Sequence, residues 1–183
     1  PRVLRAVSEL LGTEVVELRL TQSDLWPKYG RRTAGGGEAD NSDQRMHCDY
    51  PNHTLTHPPP WDAPEAVELI LYLSDVEASA GATALVPREG NEDPAYRWPI
   101  DRTPGVGRLE WINDRRAAED YLARAAPEVA RWLAEHLYPR EVLARYRLGT
   151  LLLYRHDTWH RGTPLAPGSL RLALNMTFRK AAS

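Results

Sequence analysis

The sequence predicts a mainly β protein: an antiparallel jelly roll closed on itself, with a flanking N-terminal helix and a helical insertion. Three observations carry that expectation. At least seven apolar runs have the length of strands. They do not alternate with helices as parallel βαβ units do. Helical spacing is confined to the N-terminus and to one excursion between strands.

Val3, Leu4, Val7, Leu10 and Leu11 recur at helical spacing, and Gly12 follows as a stop. Val15–Leu20 reads as a strand. Gln22–Gly37 holds Pro27, Gly30 and three consecutive glycines, so it reads as a loop. The glycines are a surface linker, because a phosphate cradle needs a strand before it and a helix after it. Gln44–Tyr50 is a short strand, and Pro51–Pro64 is a loop stiffened by Pro58, Pro59 and Pro60. Val67–Leu73 is apolar throughout, as a buried strand is, and Ala82–Val86 is a second short one. Ala118, Tyr121, Leu122 and Ala125 mark a helix capped by Asp114. Pro127 starts another, with Val129, Trp132, Leu133 and Leu137 on one face. Val142–Leu148, Thr150–Tyr154 and Leu170–Phe178 return to strand.

The 183 residues suit one domain, 1–183, with an insertion at about 88–140. A chain that begins at Pro1 without Met and enters a helix at once is compatible with a fragment of a longer protein. Lys plus Arg is 23 and Asp plus Glu is 25, and no basic run stands out, so no nucleic-acid partner is expected. No apolar run is long enough to span a membrane, and no signal peptide is visible. A single cysteine, Cys48, leaves no internal disulfide and fits a reducing compartment, and with the Arg-, Ala- and Pro-rich composition a bacterial cytoplasm is expected.

The chemistry concentrates near the C-terminus. A breaker cluster of Gly162, Thr163, Pro164, Pro167, Gly168 and Ser169 separates the last two strands and reads as a hairpin connection. His160 and Arg171 are equidistant from its midpoint. Across an antiparallel pair they would sit roughly 5 Å apart, an imidazole beside a guanidinium. Upstream, His47 and Asp49 are two apart on a strand, so both face one side and Cys48 the other. Two imidazoles and one carboxylate leave coordination positions open, as in non-haem Fe(II) oxygenases. An arginine beside such a site is what a 2-oxoglutarate cosubstrate requires. The keto acid chelates iron at one end and needs a bidentate cation at the other.

In these pieces the sequence resembles the phytanoyl-CoA dioxygenase family of Fe(II)/2-oxoglutarate-dependent oxygenases. The matching segments are HCD at His47–Asp49, GATALVP at Gly81–Pro87, and GTLLLYRHDTWHRGTP at Gly149–Pro164, with Arg171 at the family's offset. The likeness covers roughly Val15 to Phe178 and is weakest over Arg88–Arg140. It implies a double-stranded β-helix, cupin-like, and iron held by His47, Asp49 and His160. It implies 2-oxoglutarate gripped by Arg171, and hydroxylation of a small-molecule substrate by O2 with release of succinate and CO2. Gln22-Ser23 with Lys28 also resembles the family's stretch before the His-x-Asp strand. By that likeness Gln22 hydrogen-bonds the 2-oxoglutarate carboxylate, and Tyr72 falls near a position that lines the same pocket. Asp49 favours hydroxylation, since related halogenases lack this carboxylate. Cys48 stands where family members often carry Gln.

Alternatives remain at this stage. His156 shares a strand face with His160 and is its rival as ligand. His53 and His57, with His47 and Asp49, could form a zinc cluster or line the site mouth. His136 reads as a helix-end residue. A non-catalytic jelly-roll ligand-binding protein and a cupin-like metalloenzyme not using 2-oxoglutarate are the competing functions. In the insertion, the part up to Trp111 either borders the substrate opening or is a stabilising excursion, with Ala118–Leu137 as helical support.

Overall fold

The computed structural model describes residues 2–30, 41–49, 60–75, 80–96, 110 and 112–181. Helix α1 (Arg2–Leu11) buries Val7 and Leu11 on one face. Gly12 ends it at φ 59°, the left-handed conformation a side chain resists. Strand β1 (Leu18–Tyr29) is longer than the sequence suggests, because Gln22–Tyr29 is ladder and not loop. Pro27 is tolerated there since β1 is an edge strand, where a missing N–H breaks no second ladder.

Among the described residues the remaining strands are β2 (Ala66–Tyr72), β3 (Thr83–Leu85), β4 (Val142–Leu143), β5 (Leu151–Arg155), β6 (His160–Gly162) and β7 (Leu170–Lys180). They form two antiparallel sheets, ordered β1-β7-β2-β5 and β4-β3-β6. The segment Gln44–His47 continues the second sheet beside β6. His47 and His160 exchange backbone hydrogen bonds of 2.9 and 2.8 Å, and Gln44 N–H donates to Gly162 O at 2.9 Å. The chain therefore passes back and forth between the sheets as it advances.

The hairpin expected between Thr150–Tyr154 and Leu170–Phe178 does not form. β2 lies between β5 and β7, and β6 belongs to the other sheet. The Gly162–Ser169 breakers carry the chain across from one sheet to the other. Consequently His160 is paired with His47 and Leu85, and Arg171 with Lys28. Breaker residues signal a change of direction but not which sheet comes next.

Strand alternation then sorts the side chains. Val67, Leu69 and Phe178 face outward onto Val7 and Leu11 of α1. Ile70, Tyr72 and Ala173 face inward, with Ala82, Tyr146 and Leu165 from the opposite side. The outer face of the second sheet is covered by α2 (Arg115–Ala125), α3 (Pro127–Trp132) and the π-helical turn Leu133–Leu137. Asp114 caps α2 by accepting from Ala117 N–H at 2.9 Å, and Pro127 opens α3. Leu122, Val129, Trp132 and Leu137 pack on Met46, Cys48 and Trp159. Trp159 is fully buried, edge-on to Trp132 at 5.4 Å, and its indole N–H donates to Ala95 O at 2.9 Å. Met46 and Cys48 flank His47, and Trp159 precedes His160. The helices thus brace the two histidine-bearing segments from behind. His53, His57, Trp98 and Trp111 lie outside the described residues.

Candidate metal centre

His47, Asp49 and His160 converge between the sheets, with one ligand atom from each within 4.8 Å of the others. Asp49 Oδ1 lies 3.7 Å from His47 Nε2, and Asp49 Oδ2 lies 3.3 Å from His160 Nε2. Donors held roughly 2.1 Å from a shared cation stand about 3–4 Å apart, so this spacing suits an ion. The tautomers also suit one. His47 Nδ1 faces Arg45 O at 3.0 Å and His160 Nδ1 faces Thr158 O at 2.9 Å. A carbonyl can only accept, so each Nδ1 carries a proton and each Nε2 is the ring nitrogen left facing Asp49.

Charge is arranged to match. Burial and the neighbouring His160 push the His47 imidazole down to about 4, so it is neutral near pH 7. Burial lowers His160 as well, but Asp49 outweighs it and the net shift is upward. Burial pushes the Asp49 carboxyl up, yet His160 and His47 hold it well below the usual carboxylate range. The Tyr154 hydroxyl reaches Asp49 Oδ2 at 3.5 Å, and its ring lies 5.0 Å from that of His160. Cys48 turns away from the cluster, and its thiol donates to Asp157 O at 3.3 Å.

His156 is not in the cluster. It is buried against Glu68, whose Oε2 accepts from Thr177 Oγ1 at 2.7 Å. Strand alternation does not carry His156 to the His160 face, because β5 ends at Arg155 and a turn intervenes.

Arg171 lies on the inner face of β7, in another sheet from His160. Its Nη1 donates to Gly81 O at 2.6 Å, and its Nε is buried without a hydrogen-bond partner among the described residues. Lys28 stands directly opposite on β1 and donates to Ser42 O and Thr163 O at 3.0 and 2.8 Å. Tyr72 stacks on Tyr146 at 3.9 Å and shares a 2.9 Å hydrogen bond with Thr83 Oγ1. Thr83 is two residues along β3 from Leu85, the partner of His160. That is about 7 Å along the strand, a span suited to a short diacid.

Gln22 is not brought to Arg171. It lies opposite Thr177, six positions from Lys28 along β1, or roughly 20 Å. It is exposed, and its amide donates to Asp24 Oδ2 at 2.6 Å. Sequence reasoning missed Thr83, Tyr154 and the Glu68–Thr177 pair. Their signal was alternation: each falls on the inward phase of a strand that was read only as core.

Fold and site together are those of a two-sheet antiparallel protein with a His-Asp-His cluster between its sheets. Solved structures that resemble it include non-haem enzymes dependent on 2-oxoglutarate. The epimerase SnoN, in complex with Fe3+, alpha-ketoglutarate and nogalamycin RO, aligns with TM-score 0.59 and 18% identity, over 99% of this chain and 56% of SnoN. EvdO2 from Micromonospora carbonacea var. aurantiaca, complexed with 2-oxoglutarate, aligns with TM-score 0.63 and 14% identity, over 100% and 60%. SnoK, a non-heme alpha-ketoglutarate-dependent carbocyclase from nogalamycin biosynthesis, gives 0.51 and 19%, over 90% and 50%. Likeness at these identities establishes a shared fold. The chain spans between half and three fifths of the length of these neighbours. No family model and no curated protein matches this sequence. Among the described residues, no helix is long and apolar enough to cross a membrane.

Proposed function

We propose that this protein is an Fe(II)- and 2-oxoglutarate-dependent dioxygenase that hydroxylates a small molecule. The observation that carries the reading is the convergence of His47, Asp49 and His160 with the Nε2 atoms of both histidines turned to the Asp49 carboxylate. His47, Asp49 and His160 would hold the iron. Arg171, through its unpaired Nε edge, would bind the distal carboxylate of 2-oxoglutarate. Lys28 adds positive charge, and Tyr72 with Thr83 supplies hydroxyl donors. We assign these residues, and not Gln22, to the cosubstrate. When bound, iron supplies the activation of O2 that turns 2-oxoglutarate into succinate and CO2 and oxidises substrate. The chain's own task is to orient the two reactants, keep water out, and hold the Nδ1 protons of both histidines on backbone carbonyls.

The alternation of strands between the two sheets supports a double-stranded β-helix. The motifs at His47–Asp49, Gly81–Pro87 and Gly149–Pro164 support kinship with the phytanoyl-CoA dioxygenases. The test is anaerobic titration of Fe(II) and 2-oxoglutarate, followed by admission of O2. The expected results are the visible charge-transfer band of an iron-chelated keto acid, then release of succinate and CO2. A protein that binds zinc or manganese and leaves 2-oxoglutarate untouched would overturn the reading. Product analysis separates hydroxylation from epimerisation and ring closure, the outcomes named for SnoN and SnoK.

A further inference from the structure

Lys28 fixes which face of β1 points inward, since its amine bonds to Ser42 O and Thr163 O on the opposite side of the site. By alternation Trp26, Asp24 and Gln22 share that face. Their cross-strand partners on β7 are Ala173, Asn175 and Thr177. Three features of this strip are unexplained by the cosubstrate site. Trp26 is 54% exposed, and its partner is the small Ala173. Asn175 Oδ1 is buried with no hydrogen-bond partner among the described residues. Asp24 and Gln22 are exposed and joined by a 2.6 Å hydrogen bond. A buried acceptor left unpaired costs about 1–3 kcal/mol, and turning the half-buried Asn175 side chain toward a donor on a ligand would remove that cost.

We propose that this strip is the substrate wall of the site and that it receives a polyhydroxylated ring, such as a glycosyl or cyclitol unit. The inference rests on the oxygenase reading for its meaning but not for its test. An indole offers an apolar platform with a negative π face, which suits the C–H face of a saturated ring. Around it, Asp24 and Asn175 Oδ1 accept, while Gln22 both donates and accepts. Hydroxyl groups do both, so a polyol satisfies the whole set. An ammonium fits less well. Lys28 is two residues from Trp26 on the same face, with Arg171 opposite it, so a cation on the indole would meet two like charges.

The experiment is calorimetric titration of the full chain under anaerobic conditions, with Fe(II) and 2-oxoglutarate present and again with neither. The probes are methyl β-glucopyranoside, myo-inositol and cyclohexylamine. Both polyols are expected to bind in either state and cyclohexylamine to bind more weakly. Trp26→Ala and Asn175→Ala should each weaken polyol binding about tenfold, the factor that goes with losing roughly 1.4 kcal/mol. Affinity for 2-oxoglutarate should stay unchanged in Trp26→Ala. Because Trp26 is exposed, that variant keeps the fold as a confounder to a minimum, and Asn175→Asp checks the second position without emptying it. Failure of both polyols to bind, equal binding by wild type and Trp26→Ala, or preference for cyclohexylamine would overturn the proposal. Polyol binding without any 2-oxoglutarate binding would sink the oxygenase reading and leave this one standing.

Discussion

Lys28 and Arg171 face each other across β1 and β7, two cations side by side on the inner face of the four-stranded sheet. Burial and Arg171 push the Lys28 amine down from its ordinary 10.5 to about 8, against the opposing pull of Asp43 and with a further downward push from Arg161. Such a pair is costly without an anion and favourable with one.

A pH dependence of stability follows. Between pH 8 and 10.5 the unfolded chain holds a proton on Lys28 that the folded chain has lost, so stability rises with pH across that window. Below pH 8 the whole penalty applies, roughly 3 kcal/mol. Denaturant unfolding from pH 7 to 10.5, wild type against Lys28→Met, reads this directly. The variant should show the flatter profile, and parallel profiles would remove Lys28 from the account. In Arg171→Ala the amine regains basicity, so the rise should shift to higher pH.

Arg171→Ala should weaken 2-oxoglutarate binding by tens- to thousands-fold. Leaving a buried charge without its partner costs about 2–5 kcal/mol, at roughly 1.4 kcal/mol per decade. Arg171→Lys restores the charge but not the planar fork, so it should recover only part of the loss. Fe(II) binding should survive in both. Titration of the cosubstrate into the three Fe(II) proteins decides the matter, and equal affinities would detach Arg171 from the site.

Gly81 couples a left-handed backbone conformation to that arginine. Its φ is +64°, its carbonyl accepts from Arg171, and an added Cβ would run into the Leu165 side chain. Gly81→Ala should lose about 1–3 kcal/mol of stability and loosen the guanidinium. Thermal melting and 2-oxoglutarate titration should therefore fall together. A stable variant with unaltered affinity would show that the carbonyl does not position Arg171.

The mainly β class, α1 with its glycine stop, and the helices begun at Asp114 and Pro127 were legible because each rests on local chemistry. Periodicity, capping oxygens and a missing N–H act within a few residues. The His-x-Asp pair was legible for the same reason, since alternation alone puts His47 and Asp49 on one side. Pairing across the chain was not. Counting from the Gly162–Ser169 breakers placed His160 beside Arg171, whereas the chain crosses sheets there and gives Arg171 to Lys28. The Gln22–Tyr29 part of β1 was hidden because Pro27 looks like a loop residue until the strand is known to be an edge. Gln22 was assigned to the cosubstrate by likeness, and only the β1–β7 register shows how far it lies from Arg171.

The two histidines of the final motif should separate cleanly on two measurements. His160 directs Nε2 at Asp49, so His160→Ala should abolish the Fe(II)–2-oxoglutarate absorption. Its loss of metal affinity should exceed the roughly 10–100-fold typical of removing an outer hydrogen-bond partner. His156 instead bonds to Glu68, which is buried and otherwise accepts from Thr177 Oγ1. His156→Ala leaves that carboxylate short of a partner, at a cost of about 1–3 kcal/mol. In a chain of this length that is a fall in Tm of roughly 2–12 °C. Its Fe(II) affinity should stay close to that of wild type. Thr177→Val removes the other partner of Glu68 and should destabilise in the same direction while sparing the absorption band. Metal titration and thermal unfolding of the three variants give the answer. If His156→Ala abolishes the band while His160→Ala keeps it, the ligand assignment is wrong, and with it the orientation of Asp49 on which the site depends.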